Sequence, residues 1–178
     1  MDEDSKLVQR FKSKDFTAFD EIFSRFYKPI FYYIYKMTYN TDIAEDITQD
    51  TFVKVYKALS NMDDSLKLSA WIYRIAHNAC VDYLRKNKVS FELIDNIKEA
   101  CSEVNEPEQG FINKELQLRI IKVMKRINSR YRSVLVMRDY NNLSYNEIAC
   151  ILKCSESAVK SLIHRARQEF QKVFAEVD

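Results

Sequence analysis

The residues best suited to recognition chemistry lie near the C-terminal end of the sequence. They share hydrogen-bonding or cationic side chains and are Ser157, Lys160, Ser161, His164, Arg165 and Arg167. Arginine can donate two hydrogen bonds to a guanine edge, and lysine or serine can hold a phosphate oxygen. Such a set can contact duplex DNA, but a solvated basic face on an ordinary helical hairpin carries the same residue types.

Two apolar segments of helical periodicity position these side chains. They run from 144 to 152 and from 155 to 170, with Lys153 and Cys154 between them. This layout is typical of a helix-turn-helix, whose second helix enters the major groove of DNA. The apolar residues that would clamp the two helices together are Ile148, Ala149, Leu152, Val159 and Leu162.

Capping residues and local charge support the same interpretation. Ser144, followed three residues later by Glu147, predicts a capping box on the first helix, and either Ser155 or Ser157 predicts the cap of the second. Seven basic residues and no acidic residue lie in the stretch 119–138. Because the net charge of the whole chain is only +2, this local excess is what favours DNA as the partner.

A predicted helix in the N-terminal half carries an acidic and amide-bearing face. After capping side chains at 40–42, the residues that share its inward face are Ile43, Ala44, Ile47, Thr51, Val55 and Leu59. The opposite face carries Asp42, Glu45, Asp46, Gln49 and Asp50. Charge alone describes this second face as a solvated surface.

A polar loop and the helix that follows it form a third cluster. The loop runs from 60 to 67, and a helix opening at Ser69 or Ala70 presents Trp71, Tyr73, Arg74 and Asn78. Aromatic and cationic groups beside a loop can capture bases that have left the stack. Trp71 by itself favours core packing, because a tryptophan buries a large apolar area.

The composition predicts that helices position all three clusters. The chain has 178 residues, is 47% hydrophobic, and contains one Gly and two Pro. It can therefore fill helical cores but has few of the turn residues that a β-sheet needs. Between Asp15 and Tyr39 the helical periodicity is interrupted near Pro29, where either a kink or a second helix begins. We expect an all-α protein.

The stretch from Ser90 to Gly110 separates two helical halves. It holds six acidic residues against one lysine, together with Pro107 and the only glycine of the chain. Loss of periodicity with a gain of like charge is typical of a linker. We expect two small helical domains, residues 1–89 and 113–178, joined by a flexible acidic linker at 90–112.

Several function classes find no support in the sequence. The N-terminus is acidic and polar and no apolar run is long enough to cross a membrane, which predicts a cytoplasmic location. Cys80, Cys101, Cys150 and Cys154 are then expected to be reduced, and packed thiols are favoured over a metal site because no second ligand pair completes the spacing. Without a nucleophile elbow or a glycine-rich phosphate loop, we expect no enzyme, cofactor or small-molecule substrate.

Motifs in both halves resemble those of the extracytoplasmic-function (ECF) sigma factors of the sigma-70 family. Near the C-terminus they are Ser144-Tyr145, Glu147-Ile148-Ala149, Val159-Lys160-Ser161 and Arg165-Ala166-Arg167. In the N-terminal half, 42–56 is similar to the polymerase-docking helix of the family and 70–85 to its promoter-melting helix. Ser157-Ala158 and Leu162 depart from the usual Gly-Thr and Arg of the family, so the resemblance does not define the promoter sequence.

The resemblance assigns a role to each cluster. Residues 1–89 would be a sigma region 2 domain that docks core RNA polymerase and recognises and melts the minus-ten element, and 113–178 a region 4 domain that reads the minus-thirty-five element. The implied polymerase-binding residues are Asp46, Gln49, Asp50, Phe52 and Tyr56. Those implied for the minus-ten element are Asn61, Met62, Asp63, Asp64, Ser65, Trp71, Arg74 and Asn78, and those for the minus-thirty-five element are the six residues first named.

The resemblance also implies partners. They are core RNA polymerase, through its β′ clamp and β flap, promoter DNA, and an anti-sigma factor, often membrane-bound, in a response to stress or to the state of the envelope. The acidic linker would either be a spacer or thread the polymerase channel. Alternative functions are a stand-alone helix-turn-helix regulator with an N-terminal sensor or dimerisation domain, which would bind duplex DNA unaided, and a helical adaptor that binds only proteins.

Overall fold

Helices make up the secondary structure of residues 3–87 and 114–177, the ranges that the computed structural model describes. Residues 3–87, the front unit, contain α1 (Glu3–Lys12), α2 (Thr17–Thr38), α3 (Thr41–Ala58), a 3-10 turn (Leu59–Asn61) and α4 (Leu68–Asn87). Residues 114–177, the rear unit, contain α5 (Lys114–Arg126), α6 (Ser129–Leu135), a π turn (Val136–Tyr140), α7 (Tyr145–Leu152) and α8 (Glu156–Glu176). No strand occurs within these two ranges, so the all-α prediction is confirmed. The predicted linker at 90–112 lies outside the described residues.

Helix α2 runs unbroken through Pro29, so a second helix does not begin there. Pro29 removes one amide donor from the helix, but apolar side chains on both sides of it are fully buried, including Ile22, Ile30 and Ile34. Burial of this face against α3 and α4 holds the helix together across the proline.

Helix α3 begins as the sequence predicts. The Asn40 side chain accepts a hydrogen bond from the Ile43 amide at 2.9 Å. Two buried threonines on the inward face, Thr48 and Thr51, donate to the backbone carbonyls of Ala44 and Ile47 at 2.6 and 2.7 Å. The hydroxyls are thus satisfied within the helix, which allows polar residues inside the core.

The rear unit is centred on a buried arginine. Arg132 is 1% exposed, and its guanidinium donates to the carbonyls of Met124, Lys125 and Ile127 near the end of α5. Asn128 accepts from the Tyr131 amide at 2.8 Å and so caps α6. The sequence pattern predicts one helix from Tyr131 to Asp139, whereas the structure has the short α6 followed by the π turn.

The two units contact each other. Helices α2 and α4 of the front unit pack against α6, α7 and the π turn of the rear unit. The contact between α4 and α7 brings the promoter-melting helix suggested by the sequence beside the first helix of the helix-turn-helix.

Candidate functional site

The rear unit presents a polar and cationic face on α8. All six side chains predicted to read DNA are exposed there, while Val159, Leu162 and Ala166 on the other side of the helix are buried. The structure therefore brings the predicted set together on one surface. Helical spacing explains this, because residues three or four positions apart share a face.

The local geometry of the helix-turn-helix follows from two serines. Ser144 and Glu147 form the predicted capping box, with the Ser144 amide donating to Glu147 Oε2 at 2.9 Å and the Glu147 amide donating to Ser144 Oγ at 3.2 Å. For α8 the cap is Ser155 rather than Ser157, since Ser155 Oγ accepts from the Ala158 amide. Ile148 and Ala149 of α7 are buried against α8, as predicted, and Leu152 is half-buried.

Two of the cations on α8 are held by acidic neighbours. Lys160 Nζ lies 2.9 Å from Glu156 and 5.5 Å from the Tyr145 ring centroid, and Arg167 lies 2.6 Å from Asp139. The hydrogen bond to Glu156 raises the pKa of Lys160, and the one to Asp139 raises that of Arg167. These pairs are exposed, so phosphates can compete for either cation at little cost.

Helix α3 presents the acidic face of the front unit. Asp46, Gln49 and Asp50 are exposed, and Tyr56 is 46% exposed. Phe52 differs from the expectation, because its side chain is only 3% exposed. It packs beneath the surface, 4.9 Å from the Phe23 ring centroid, and so supports the face rather than being open to a partner.

Exposed aromatic residues in α2 and just before it border this acidic face, and sequence reasoning missed their exposure. Phe16 and Phe23 are 55% and 39% exposed, and Val53 of α3 is also exposed. Phe23 makes an edge-on ring contact with Phe52, and the ring centroid of the neighbouring Phe19 lies 5.0 Å from that of Tyr56. The periodicity of α2 predicts these aromatic residues as core. Periodicity could not show that Phe16 and Phe23 stay exposed in the described part of the chain.

The loop before α4 forms one wall of a cavity of about 260 Å³. The other wall is α1, which sequence reasoning did not assign to any site. The lining residues are Ser5, Val8, Gln9, Met62, Asp64, Ser65, Leu66, Lys67 and Leu68. Its size and mixed polar and apolar lining fit a single unstacked base.

Hydrogen bonds from α1 fix the shape of this loop. Lys12 Nζ donates to the Met62 carbonyl at 2.8 Å and to Asp64 Oδ1 at 2.7 Å, and Gln9 donates to the other Asp64 oxygen. The Lys12 hydrogen bond lowers the pKa of Asp64, and the Ser65 amide, which donates to Asp63, lowers the pKa of Asp63. Both carboxylates are therefore charged at neutral pH.

The remaining residues predicted for the minus-ten element divide into exposed and buried members. Asn61 and Asn78 are exposed and Arg74 is half-buried. Trp71 is 8% exposed, which confirms its core packing. Met62 lines the cavity but is only 5% exposed, in contrast to the expectation that its side chain is open to DNA.

Two of the cysteines contradict the expectation of packed thiols. Cys80 is buried, and burial raises its pKa to about 12. Cys150 and Cys154 are exposed, because α7 turns its opposite face to the core and Cys154 follows the end of that helix. In the described part of the chain, His, Cys, Asp and Glu side chains do not gather into a group that could hold a metal ion. Cys101 lies outside the described residues.

Among residues 3–87 and 114–177, no helix is long and apolar enough to span a membrane.

Comparisons with known proteins agree with this geometry. Residues 22–89 match the model of sigma-70 region 2, and residues 117–170 match that of sigma-70 region 4. The chain is 30% identical over 157 residues to the RNA polymerase sigma factor YlaC of Bacillus subtilis (strain 168), covering 87% of this chain and 91% of that one. It is 30% identical over 176 residues to the ECF RNA polymerase sigma factor SigW of the same organism, covering 94% of each. The solved structure of CnrH in complex with the cytosolic domain of CnrY has the same fold, with a TM-score of 0.75 at 22% identity, over 98% of this chain and 99% of that one. The chain therefore belongs to the ECF RNA polymerase sigma factors.

Proposed function

We propose that this chain binds core RNA polymerase through its front unit and directs initiation at promoters whose upstream element is read by its rear unit. The observation that carries the proposal is the pairing of two unlike surfaces in one chain. The front unit offers an acidic and aromatic face of the kind that binds protein, and the rear unit offers a cationic helix of the kind that binds DNA.

The polymerase surface is proposed on α3. Exposed Asp46, Gln49 and Asp50 would meet the β′ clamp, and charge complementarity there would set encounter rate and register. Exposed Tyr56 and the bordering Phe23 would supply the apolar part of the affinity. The β flap would be contacted by the rear unit.

The promoter surfaces are proposed on both units. The cavity between α1 and the loop at 61–68 would hold a base of the melted minus-ten element, with Arg74 and Asn78 beside the duplex edge. The exposed face of α8 would read the minus-thirty-five element in the major groove. The domain boundaries at residues 89 and 113 are part of this proposal.

Control by an anti-sigma factor, a cytoplasmic location and targets in a stress or envelope response are further parts of the proposal. They rest on membership of the family. Sigma factors act in regulation, and we propose that the chain has no catalytic activity of its own. A stand-alone helix-turn-helix regulator is disfavoured by the match to sigma region 2, which such a regulator lacks.

Run-off transcription with purified core polymerase tests the proposal. The chain should produce discrete transcripts from a genomic promoter library only when core enzyme is present. A regulator would instead shift duplex DNA without polymerase. Failure to confer initiation at any start site, with active core enzyme and a folded chain, would falsify the proposed function.

The docking surface can be tested by one double substitution. Asp46→Ala with Gln49→Ala should weaken the affinity for core polymerase about tenfold or more, because two exposed polar contacts to the clamp are lost. The matched control is Asp82→Ala with Asn87→Ala, which removes an exposed acid and an exposed amide from the end of α4 in the same unit. Equal affinity of the two double variants, measured by fluorescence anisotropy, would exclude α3 as the docking helix.

The reading helix can be tested in the same way. Lys160→Ala or Arg165→Ala should cost about 1 to 3 kcal/mol in binding of the upstream element if the side chain contacts a base. Lys172→Ala on the same helix is the control, since it lies beyond the predicted face. Promoter selectivity unchanged from that control would remove the two residues from the site.

A further inference from the structure

Helix α1 is fixed to the front unit although it lies outside residues 22–89, the part of the chain that matches sigma-70 region 2. The buried side chains of its inward face are Leu7, Val8 and Phe11. In the first turn of α1, Glu3 and Asp4 lie 3.0 and 2.6 Å from Arg25 of α2. Near its other end, Arg10 lies 2.7 Å from Glu21 of α2. Apolar burial supplies most of the attachment, and the ion pairs at both ends orient the helix.

A second face of α1 is turned toward the loop at 61–68. Ser5, Gln9 and Lys12 are spaced by four and three residues, so they share this face. Ser5 and Gln9 line the cavity of about 260 Å³, whose other wall is the loop. Gln9 and Lys12 donate hydrogen bonds to that loop. One face of α1 therefore both lines the cavity and holds its opposite wall.

Lys12 is the stronger of the two ties. Its ammonium group donates to the Met62 carbonyl at 2.8 Å and to Asp64 Oδ1 at 2.7 Å, so the loop is held at two points that are two residues apart. The Lys12 side chain is 24% exposed. A cation that is largely covered and already serves two acceptors is a poor contact for a DNA phosphate. The effect of Lys12 on DNA is therefore exerted through the loop.

The bonds within the loop leave this task to α1. The Ser65 amide donates to Asp63 Oδ1 at 2.9 Å, and the Leu66 amide donates to the Asp63 carbonyl at 3.1 Å. Both bonds close a turn of four residues, so they set the curvature of the loop and not its distance from α1. The separation of the two walls of the cavity is set by the bonds that cross it, from Lys12 and from Gln9 to Asp64.

We propose that Lys12 is a positioning residue for the loop at 61–68, with Gln9 as a second tie, and that α1 thereby helps to set which unstacked base the cavity accepts. The inference rests on the proposed function, in which this cavity receives a base of the minus-ten element. A small site selects by shape and by directed hydrogen bonds, so a displacement of the Asp64 wall by about 1 Å changes the fit of each base differently. Promoter choice then depends on α1 as well as on the loop itself.

Run-off transcription with core polymerase tests the inference on the full chain. Four templates differ only in the base at the captured position, which is identified with the parent chain as the minus-ten position where 2-aminopurine becomes fluorescent in the open complex. Lys12→Met removes both bonds and keeps the length of the side chain, whereas Lys12→Arg keeps a cation with donors for both acceptors. Lys6→Met is the matched control, because Lys6 is an exposed lysine of the same helix.

The expected result is a loss of selectivity. The ratio of transcript from the best template to transcript from the worst should fall about tenfold in Lys12→Met, and about threefold in Gln9→Ala, which removes the weaker tie. Lys12→Arg and Lys6→Met should keep the ratio of the parent. A variant that is merely less stable would lower the yield from all four templates alike and leave the ratio unchanged.

Hydrogen exchange of the free chain gives a second readout that does not depend on polymerase. The amides of Ser65 and Leu66 should exchange faster in Lys12→Met than in Lys6→Met, because the turn is no longer held against α1. Faster exchange with an unchanged transcript ratio would mean that Lys12 supports the loop without influencing the choice of base, and would overturn the inference.

Two further results would overturn it: equal ratios in Lys12→Met and Lys6→Met, or a ratio in Lys12→Arg as low as that in Lys12→Met. Failure of the proposed function looks different. A parent chain that initiates on none of the templates loses the sigma-factor role. A parent that selects one base, with Lys12→Met selecting it equally well, keeps that role and removes Lys12 from base selection.

Discussion

The front unit is held together by aromatic rings, whereas the rear unit is held by backbone carbonyls gathered round a buried guanidinium. In α2 and α3 the rings of Phe19, Phe23, Phe52 and Tyr56 lie 4.9 to 6.4 Å apart in a continuous row. In the described part of the rear unit, the corresponding ring pair is Phe170 with Phe174. The rear unit packs aliphatic side chains such as Val134 and Ile163 instead, and adds the hydrogen bonds of Arg132 and of its helix caps.

The difference extends to the surfaces. The aromatic row of the front unit reaches the exterior at Phe16, Phe23 and Tyr56, next to an acidic face. The rear unit exposes a cationic helix and buries its apolar residues. The first surface is the one proposed to bind protein and the second is the one proposed to bind DNA, and the two units should respond differently to substitution.

Arg132→Met should have the largest effect on stability. The methionine keeps much of the side-chain volume but leaves the buried carbonyls of Met124, Lys125 and Ile127 without their donor. Since each unsatisfied buried acceptor costs about 1 to 3 kcal/mol, the free energy of unfolding should fall by about 4 kcal/mol. Urea denaturation followed by circular dichroism measures the change. Arg130→Met, at an exposed position of α6, is the control, and equal midpoints for the two variants would show that the rear unit does not depend on the buried guanidinium.

The sequence predicts the elements on which this comparison rests better than it predicts their contacts. The inward face of α3, the cap at Asn40 and the capping box at Ser144 follow from local spacing, and the structure confirms all three. The contact of Lys12 with Asp64 and that of Arg132 with Met37 could not be predicted. These residues are 52 and 95 positions apart, and no local pattern pairs them.

The exposure of individual side chains was also beyond the sequence. Helical periodicity assigns Phe23 and Phe52 equally to the core, but Phe52 is covered and Phe23 is not. Likewise, Cys150 belongs to an apolar segment yet lies on the outer face of α7. Periodicity locates a face to within about one residue, whereas burial depends on which neighbouring helix covers it.

His77 should make the stability of the front unit sensitive to mild acid. Its ring is partly buried with Nδ1 2.9 Å from the Tyr33 hydroxyl, and this burial lowers its pKa to about 4 from the usual 6.5. Above pH 6.5 the ring is neutral in both folded and unfolded chains. As the pH falls from 6.5 to 4, the unfolded chain binds a proton that the folded chain does not. The free energy of unfolding should therefore decrease over this window, by on the order of 3 kcal/mol.

Urea denaturation at intervals across that window measures the slope. His77→Gln should reduce that slope, so that the stabilities of variant and parent converge as the solution becomes more acidic, whatever the cost of the substitution at neutral pH. The carboxyl groups whose pKa values are lowered, such as Glu147, account for the slope that remains. His164→Gln is the matched control, because His164 is exposed on α8 and should leave the slope in place. Parallel curves for parent and His77→Gln would mean that the buried ring does not set the acid sensitivity.

The smallest expected effects concern two residues in the left-handed conformation, one in each unit. With one glycine in the chain, Tyr39 and Lys153 adopt positive φ angles of 52° and 53° as helix C-caps. Glycine is the usual residue at such a position, since a side chain there is sterically disfavoured. Lys153 is exposed, so Lys153→Gly loses no buried contact. It should raise the free energy of unfolding of the rear unit by a few tenths of a kcal/mol to about 1 kcal/mol, and the melting temperature with it.

Tyr39→Gly should lower the melting temperature instead. The Tyr39 ring is buried at the junction with Lys125, and the loss of that packing outweighs the relief of backbone strain. Calorimetry on the two variants compares the signs. The same sign for both would mean that backbone conformation, and not the contrast in packing between the units, governs these turns.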